Sequence, residues 1–245
     1  MLGGARIVVV VPAFEEAPRL RRMLESVPAI VDRIVVVDDA SRDATRAVAE
    51  ACALADDRVV VISHAENRGV GAAIVTGYRR ALEEDGDAND AFVVMAGDGQ
   101  MDPLDLPAVA GPVVRGEASY VKGNRYRSIH RHSIPLARRA GGEVLSVMTS
   151  IAIGQRITDS QCGYTAIARA ACAALDWSVI FPRFGYPNDV LGELAARKLT
   201  IVEVEVRAIY ADEESKLRVW HVPKIAGLIA RTGLRRVRRS LLRSE

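Results

Sequence analysis

Asp98 lies between Gly97 and Gly99 where an apolar run ends, and Gln100 follows two residues later, in "VVMAGDGQMDP" (93–103). A carboxylate and an amide oxygen are hard donors of the kind that hold Mg²⁺ or Mn²⁺. Flanking glycines let a diphosphate come close to the backbone, although the same tripeptide also makes an ordinary turn. A second acidic pair, Asp38-Asp39, ends another apolar run in "IVVVDDASRDAT". Ionising two adjacent acids is costly unless donors meet them. Asp38 can cap the next helix and leave Asp39 to accept from a base or ribose, or both can sit in a solvated turn. "NRGVGAAIVTG" (67–77) follows neither the P-loop nor the dinucleotide spacing. It reads as a different phosphate loop or as a tight turn with close helix–sheet packing. His130 and His132 have only basic neighbours, and no Ser/His/Asp or Cys/His grouping stands out.

The elements that must position these groups alternate through the first half. Apolar runs at 6–11, 34–37, 58–62, 91–96 and 119–122 read as strands. They are continuous rather than alternating, as in a parallel sheet covered on both faces. Helical patterns lie between them: one from Pro18 to about Val27, one with Ser41 and Asp43 as candidate caps, one after Gly69, and one opened by Asp102-Pro103. The expected fold class is α/β, a mostly parallel, doubly wound sheet with helices on both faces. Pro12, Asp38, Asp39 and Asp98 then fall at carboxyl ends of strands, where such sheets bind ligands. The second half predicts a helix over 136–152, a turn and strand in "DSQCGYTAIAR", a helix over 186–197 and a strand over 200–206. "YADEESKLR" follows as a polar loop.

Bulk composition excludes several classes. The 245 residues are 49% hydrophobic and 26% charged, enough for a sizeable core. No run of 18 apolar residues marks a membrane span. "RIVVVVPAF" is too short for a signal segment and reads as a first buried strand. Three scattered cysteines without a CxxC suggest thiols in a reducing compartment, not a disulfide framework or zinc site. The net charge of +2 hides a basic tail: from Lys216 to Glu245 nine residues are Lys or Arg and one is acidic. "PKIAGLIARTGLRRVRRSLLRSE" predicts two short helices broken near Gly233: in the first Ile225, Leu228 and Ile229 share a face, and in the second Leu234, Val237 and Leu241 do, opposite Arg235, Arg236, Arg239 and Arg243. That is the pattern of an interfacial helix on an anionic membrane, or of a helix packed on the body with a solvated basic side. No aromatic after Trp220 is present to stack on bases, so nucleic acid is not expected.

Seven segments, "VVPAFEE", "VVDDASRDAT", "NRGVGAA", "GDGQMDP", "KGNR", "DSQCGYTA" and "SKLR", occur in this order over about residues 6–218. Together they resemble family 2 glycosyltransferases of the GT-A fold, in the polyprenyl-phosphate (dolichol-phosphate) mannose or glucose synthase-like branch. The resemblance implies one domain over 1–215, with a nucleotide-binding lobe to about 115, an acceptor lobe over 116–215, and the tail 216–245. It implies that Pro12, Phe14 and Glu16 line the nucleoside pocket and that Asp39 contacts base or ribose. Asp98 and Gln100 would hold Mg²⁺ or Mn²⁺ on the diphosphate. Arg125 would face the diphosphate or the acceptor phosphate, and Asp159 and Gln161 the sugar. Asp189 would lie near the acceptor, and Ser215 and Lys216 in a loop that closes on the phosphates. Ala96 departs from the family's usual Asp-x-Asp, so one acid of the metal motif is missing.

The implied activity is an inverting, metal-dependent transfer of a hexose from a UDP- or GDP-sugar to a polyprenyl-phosphate lipid, in the cytoplasm or at the inner face of the membrane. Two alternatives stay open at this point: a soluble GT-A enzyme acting on a small-molecule acceptor, and a catalytically weak nucleotide-sugar binder, motivated by Ala96. A nucleotidyltransferase is disfavoured, because "VVVVPAFEE" lacks that class's glycine-rich strand–loop.

Overall fold

The computed structural model describes residues 4–128, 134, 136–207, 209 and 222–241. Seven strands, β1 (Ile7–Ala13), β2 (Arg33–Asp38), β3 (Val59–Ser63), β4 (Ala91–Val94), β5 (Tyr120–Asn124), β6 (Thr165–Ala168) and β7 (Ile201–Glu205), form one sheet in the order β3-β2-β1-β4-β6-β5-β7. All pairings are parallel except those of β6, which runs antiparallel to both β4 and β5. Every residue of β1 and β4 is buried. Consecutive strand residues face opposite ways, so both faces of the sheet are covered, and this is why the strands read as unbroken apolar runs.

Eight helices accompany the sheet among the described residues: α1 (Ala17–Ser26), α2 (Thr45–Ala55), α3 (Val70–Leu82), α4 (Leu106–Val114), α5 (Leu136–Ile153), α6 (Arg169–Ala174), α7 (Tyr186–Ala196) and α8 (Val222–Leu241). Gly77 of α3 presses on β1: a Cβ there would stand 2.3 Å from Val10 Cγ1. From β1 the chain winds one way through β2 and β3, and β4 lies on the other side. The sheet's switch point, where a ligand crevice opens at the carboxyl ends of the strands, is therefore between β1 and β4.

Two expectations are corrected. Of the two candidate caps of α2 only Asp43 serves it, accepting at Oδ1 from the Thr45 amide (3.0 Å), while Ser41 turns to α1. Ser41 Oγ accepts from the Glu15 amide (3.0 Å) and Asp43 Oδ2 from the Ala17 amide (3.3 Å), while Thr45 Oγ1 accepts from the Glu16 amide (2.8 Å). These groups brace the start of α1 across the sheet's end. Second, α8 is one continuous helix. Gly233 stays inside it, opposite Ala152 of α5, where a Cβ would meet that residue at 3.5 Å. A glycine in mid-helix costs about 1 kcal/mol relative to alanine, and close packing on α5 offsets that cost. Ile225 and Ile229 are buried there with Leu145. Among the described residues no helix is long and apolar enough to cross a membrane.

Candidate active site

The 96–101 segment leaves β4 beside the end of β1. The Gly97 amide donates to Pro12 O (3.1 Å), and a Cβ on Gly97 would come within 3.3 Å of both Ala13 Cβ and Leu20 Cδ1. Gly97 is therefore a packing glycine. Gly99 takes φ +73°, and a Cβ on it would meet nothing within 4 Å. Asp98 Oδ1 accepts from the Gln100 amide (3.0 Å), closing a small turn. Ala96 brings a methyl group, and its amide donates to Met101 Sδ at 3.4 Å.

No cluster of three or more His, Cys, Asp or Glu that could hold a metal occurs among the described residues. A divalent cation at this turn would draw on Asp98 and Gln100 and take its other ligands from a diphosphate and water. That donor set suits Mg²⁺, which commonly binds through one or two carboxylates plus substrate phosphates.

The paired acids at the end of β2 divide their work. Asp38 Oδ1 accepts from the Ser41 amide (3.3 Å). Asp39 is almost fully buried. Its Oδ1 meets His64 Nδ1 (2.7 Å) and the Arg68 amide (2.9 Å), and its Oδ2 the Gly69 amide (2.7 Å). His64 Nε2 continues to Thr76 Oγ1 at 2.9 Å. Donors from one loop thus relieve the repulsion expected of two adjacent acids, and Asp39 holds the entry to α3.

That entry is filled by the protein itself. Gly69 takes φ +95°, and a Cβ on it would stand 2.5 Å from Arg183 Cγ; one on Gly71 would stand 2.7 Å from Phe181 O. The Ala72 amide donates to Pro182 O (3.0 Å), and the Arg183 guanidinium donates to Asn67 Oδ1 (3.0 Å) and Asn67 O (3.1 Å). Of the two readings of 67–77, close packing is the one realised, against the 181–183 segment as well as the sheet. Around the same rim, Pro12 is buried in β1 and Phe14 is half-buried just beyond it. Glu16 is buried and turned to its own helix, with Oε2 3.3 Å from Arg19 Nη1.

At the exit of β5, Arg125 grips Asp159 with two prongs: Nε to Oδ2 (2.8 Å) and Nη2 to Oδ1 (2.9 Å). Its own amide donates to Oδ2 at 3.1 Å. Asp159 is fully buried, while the Arg125 side chain keeps 23% exposure. Burial alone pushes the Asp159 carboxyl up, but the adjacent guanidinium outweighs it and holds the carboxyl below its usual range. Glu203 of β7 fixes the loop from behind, accepting from the Thr158 amide (2.9 Å), the Asp159 amide (3.0 Å) and Thr158 Oγ1 (2.8 Å). Beneath lies Lys122, fully buried, with Nζ donating to Cys162 O; burial pushes its ammonium down to about 8. Gln161 Nε2 donates to Ser160 Oγ at 2.8 Å.

This second cluster is joined to the first. Tyr164 OH donates to Asp102 O (3.1 Å), and Gly163 faces Met101 closely enough that a Cβ would lie 3.0 Å from Cε. From the end of β7, the Arg207 guanidinium pairs with Asp102 (3.0 Å) and Asp105 (2.9 Å).

Asp189 goes elsewhere. In the first turn of α7 it accepts from the Phe181 amide (2.9 Å), Arg231 Nη2 (2.6 Å) and Thr232 Oγ1 (3.2 Å), and it is almost fully buried. It ties α7 to α8. Ser215 and Lys216, like His130 and His132, lie outside the described residues. All three cysteines are buried and unpaired, and burial pushes their thiols up. Sequence reasoning missed His64, Lys122, Glu203 and Arg207. The available signal was a charged residue inside an apolar strand, at Lys122 in "YVKGN" and Glu203 in "IVEVE".

Residues 8–173 match the family described as Glycosyl transferase family 2. A UDP-N-acetylglucosamine–dolichyl-phosphate N-acetylglucosaminyltransferase of Methanococcus voltae is 28% identical over 220 residues, covering 84% of this chain and 86% of that one. An undecaprenyl-phosphate mannosyltransferase of Micrococcus luteus is 28% identical over 235 residues, 94% of each chain. Among solved structures, glucosyl-3-phosphoglycerate synthase from Mycobacterium tuberculosis, in complex with Mn²⁺, UDP and glucosyl-3-phosphoglycerate, superposes with a TM-score of 0.69. It is 20% identical, and the match covers 95% of this chain and 80% of that one. At that identity the likeness speaks for the fold.

Proposed function

The chain belongs to glycosyl transferase family 2, and from that premise we propose that this glycosyltransferase moves a hexose from a UDP- or GDP-sugar to the phosphate of a polyprenyl-phosphate lipid. The observation that carries the reading is the joining of two clusters at one end of the sheet. Asp98 and Gln100 at the exit of β4 are linked through Asp102 and Tyr164 to the Arg125–Asp159 loop at the exit of β5. The first suits a diphosphate with its cation, and the second offers a held guanidinium for a phosphate. Two relatives that align over most of their length are named for dolichyl and undecaprenyl phosphates.

The chemistry is a displacement at the anomeric carbon. A phosphate oxygen of the acceptor forms the new bond from the face opposite the nucleotide, the bond to the diphosphate breaks, and the nucleoside diphosphate leaves with the electron pair. Configuration therefore inverts. Asp98 and Gln100 would hold Mg²⁺ or Mn²⁺, which supplies charge neutralisation to the leaving diphosphate. Pro12 and Phe14 at the end of β1 flank the nucleoside. Arg125, kept in place by Asp159, meets an anionic oxygen, and Gln161 borders the sugar. The acceptor phosphate is already an anion near neutral pH and needs no general base. This agrees with an Asp189 whose oxygens are taken up by Phe181, Arg231 and Thr232. Residues to about 115 would form the nucleotide side and those of β5, β6 and β7 the acceptor side of one sheet.

The test is transfer from labelled UDP- and GDP-hexoses, with Mn²⁺, to a detergent-dispersed polyprenyl phosphate. Label in a lipid-extractable product is expected. Transfer to a small phosphorylated or hydroxylic acceptor, with none to the lipid for any donor, would replace this reading with that of a soluble-acceptor enzyme.

A further inference from the structure

Lys122 of β5 and Glu203 of β7 are register partners in parallel strands, so their side chains leave the same face of the sheet side by side. Both turn to the loop between α5 and β6. Glu203 holds the start of that loop, accepting from the amides of Thr158 (2.9 Å) and Asp159 (3.0 Å) and from the Thr158 hydroxyl (2.8 Å). Lys122 holds its end, where Nζ donates to the Cys162 carbonyl. An anion thus grips N–H groups and a cation grips a C=O, each matched in polarity.

Packing alone does not account for the pair. Lys122 is fully buried, and the Glu203 side chain is 8% exposed. A buried ammonium with one carbonyl to meet it is less favourable than an apolar side chain in the same space. The strand between the two grips is also shaped to the loop. A Cβ on Gly123 would stand 2.8 Å from Tyr164 O and 3.0 Å from Cys162 Sγ. The buried Asn124 side chain donates to Thr158 Oγ1, and its Oδ1 accepts from the Tyr126 (3.0 Å) and Arg127 (3.2 Å) amides. Glu203 therefore reaches Arg125 by two routes. One runs through Asp159, which grips the guanidinium, and the other through Thr158 and Asn124, which fix the turn that carries Arg125.

We propose that Lys122 and Glu203 are positioning residues for acceptor capture, holding the 158–162 loop so that Arg125 presents its guanidinium to the acceptor phosphate. The assignment of Arg125 to that phosphate is the function proposed above, and the role of the pair rests on it. The charge on Lys122 is part of the device. Burial pushes its ammonium down to about 8, a fall to which the Arg125 cation adds and which Cys162, Asp159 and Glu203 oppose. Above that pH the ammonium becomes a neutral amine, and its grip on the Cys162 carbonyl weakens.

Glu203→Gln, Lys122→Met and the milder Thr158→Val, in the full chain, test the pair. In the first two, kcat/KM for detergent-dispersed polyprenyl phosphate should fall by on the order of tenfold or more. Thr158→Val should fall by less, and the KM for the donor should stay unchanged in all three. Adding Glu203→Gln to Arg125→Lys should give no further loss, because the group being positioned is already altered. In the parent, kcat/KM should decline as pH rises through about 8. Glu203→Gln should move that decline to lower pH, and Lys122→Met should lack it. A pair that serves stability alone would produce neither the coupling to Arg125 nor the shifted decline. Full additivity with Arg125→Lys overturns the proposal, as does a decline that keeps its place in both charge variants, or a kcat/KM equal to the parent's in all three. Thr158→Val leaves both charges in place, so its loss, abolished in the Arg125→Lys background, decides the matter where a charge variant fails to fold. The same losses with a small phosphorylated acceptor, and no transfer to the lipid, would remove the lipid assignment alone and leave the pair standing.

Discussion

Asp159 and Arg125, 34 residues apart, form a two-pronged ion pair in which the carboxylate is fully buried and the guanidinium is 23% exposed. The exposed edge belongs to the partner proposed to meet substrate, and the buried one to the partner that positions it. An arginine held at both nitrogens has little freedom left to lose when an anion arrives.

Asp159→Asn removes one charge and leaves Arg125 without its counterion in a buried setting. A loss of stability of about 3 kcal/mol is expected, read by urea unfolding at pH 7. Because the folded-state carboxyl titrates below its ordinary value, its contribution is present above about pH 4, the unfolded value. It fades as pH falls through the lower folded value. The gap between parent and variant should therefore narrow in acid, and a constant gap would mean that the charge of Asp159 is not what holds the loop.

Lys122 predicts the opposite end of the pH scale. Folded, it releases its proton at about 8; unfolded, near 10.4. Between these values the unfolded chain binds more protons, so this group makes stability rise with pH. Lys122→Met should lack that rise. Unfolding curves of both proteins at pH 7.5 and 9.5 decide it, and parallel behaviour would place the ammonium's titration outside this window.

Asp98→Asn should lower turnover by on the order of 10²-fold or more, as expected when a main electrostatic group of the transition state is lost. Ala96→Asp adds a second hard donor at the same turn and should lower the Mn²⁺ concentration giving half-maximal activity. An unchanged requirement would show that residue 96 points away from the diphosphate.

For Asp189→Asn we expect a fall in melting temperature of several degrees, since the Arg231 pair that secures α8 is broken. The pH profile of kcat should keep its shape. Loss of the limb that depends on a basic group would instead identify Asp189 as a general base.

The strands were legible because both faces of the sheet are covered, so β1, β2 and β4 carry no polar alternation to confuse the pattern. Asp98, Arg125 and Asp159 were singled out by segments that occur in a family order, and the structure brings those segments together through Asp102 and Tyr164. What stayed hidden is non-local. Asp39 takes its donors from residues 64–69, and Asp189 reaches α8 more than 40 residues away. Glu203 supports a loop 44 and 45 residues distant, yet in "IVEVE" it looks like the solvent side of an edge strand. Gly233 was misleading for the same reason: local propensity argues for a break, and the contact with Ala152 of α5 keeps the helix whole.

The antiparallel β6 also constrains the order in which the molecule can be assembled. It fills the place between β4 and β5, pairing Ala91–Val94 on one side and Tyr120–Lys122 on the other. During synthesis the first four strands emerge long before Thr165, and until then the outer edge of β4 has no partner. That edge is "AFVV", apolar and without a charge or proline to discourage pairing with a neighbouring chain. A fragment that ends between β4 and β6 would therefore keep four paired strands and still be prone to aggregate, so the parts of the sheet on either side of β6 are inseparable as expressed pieces.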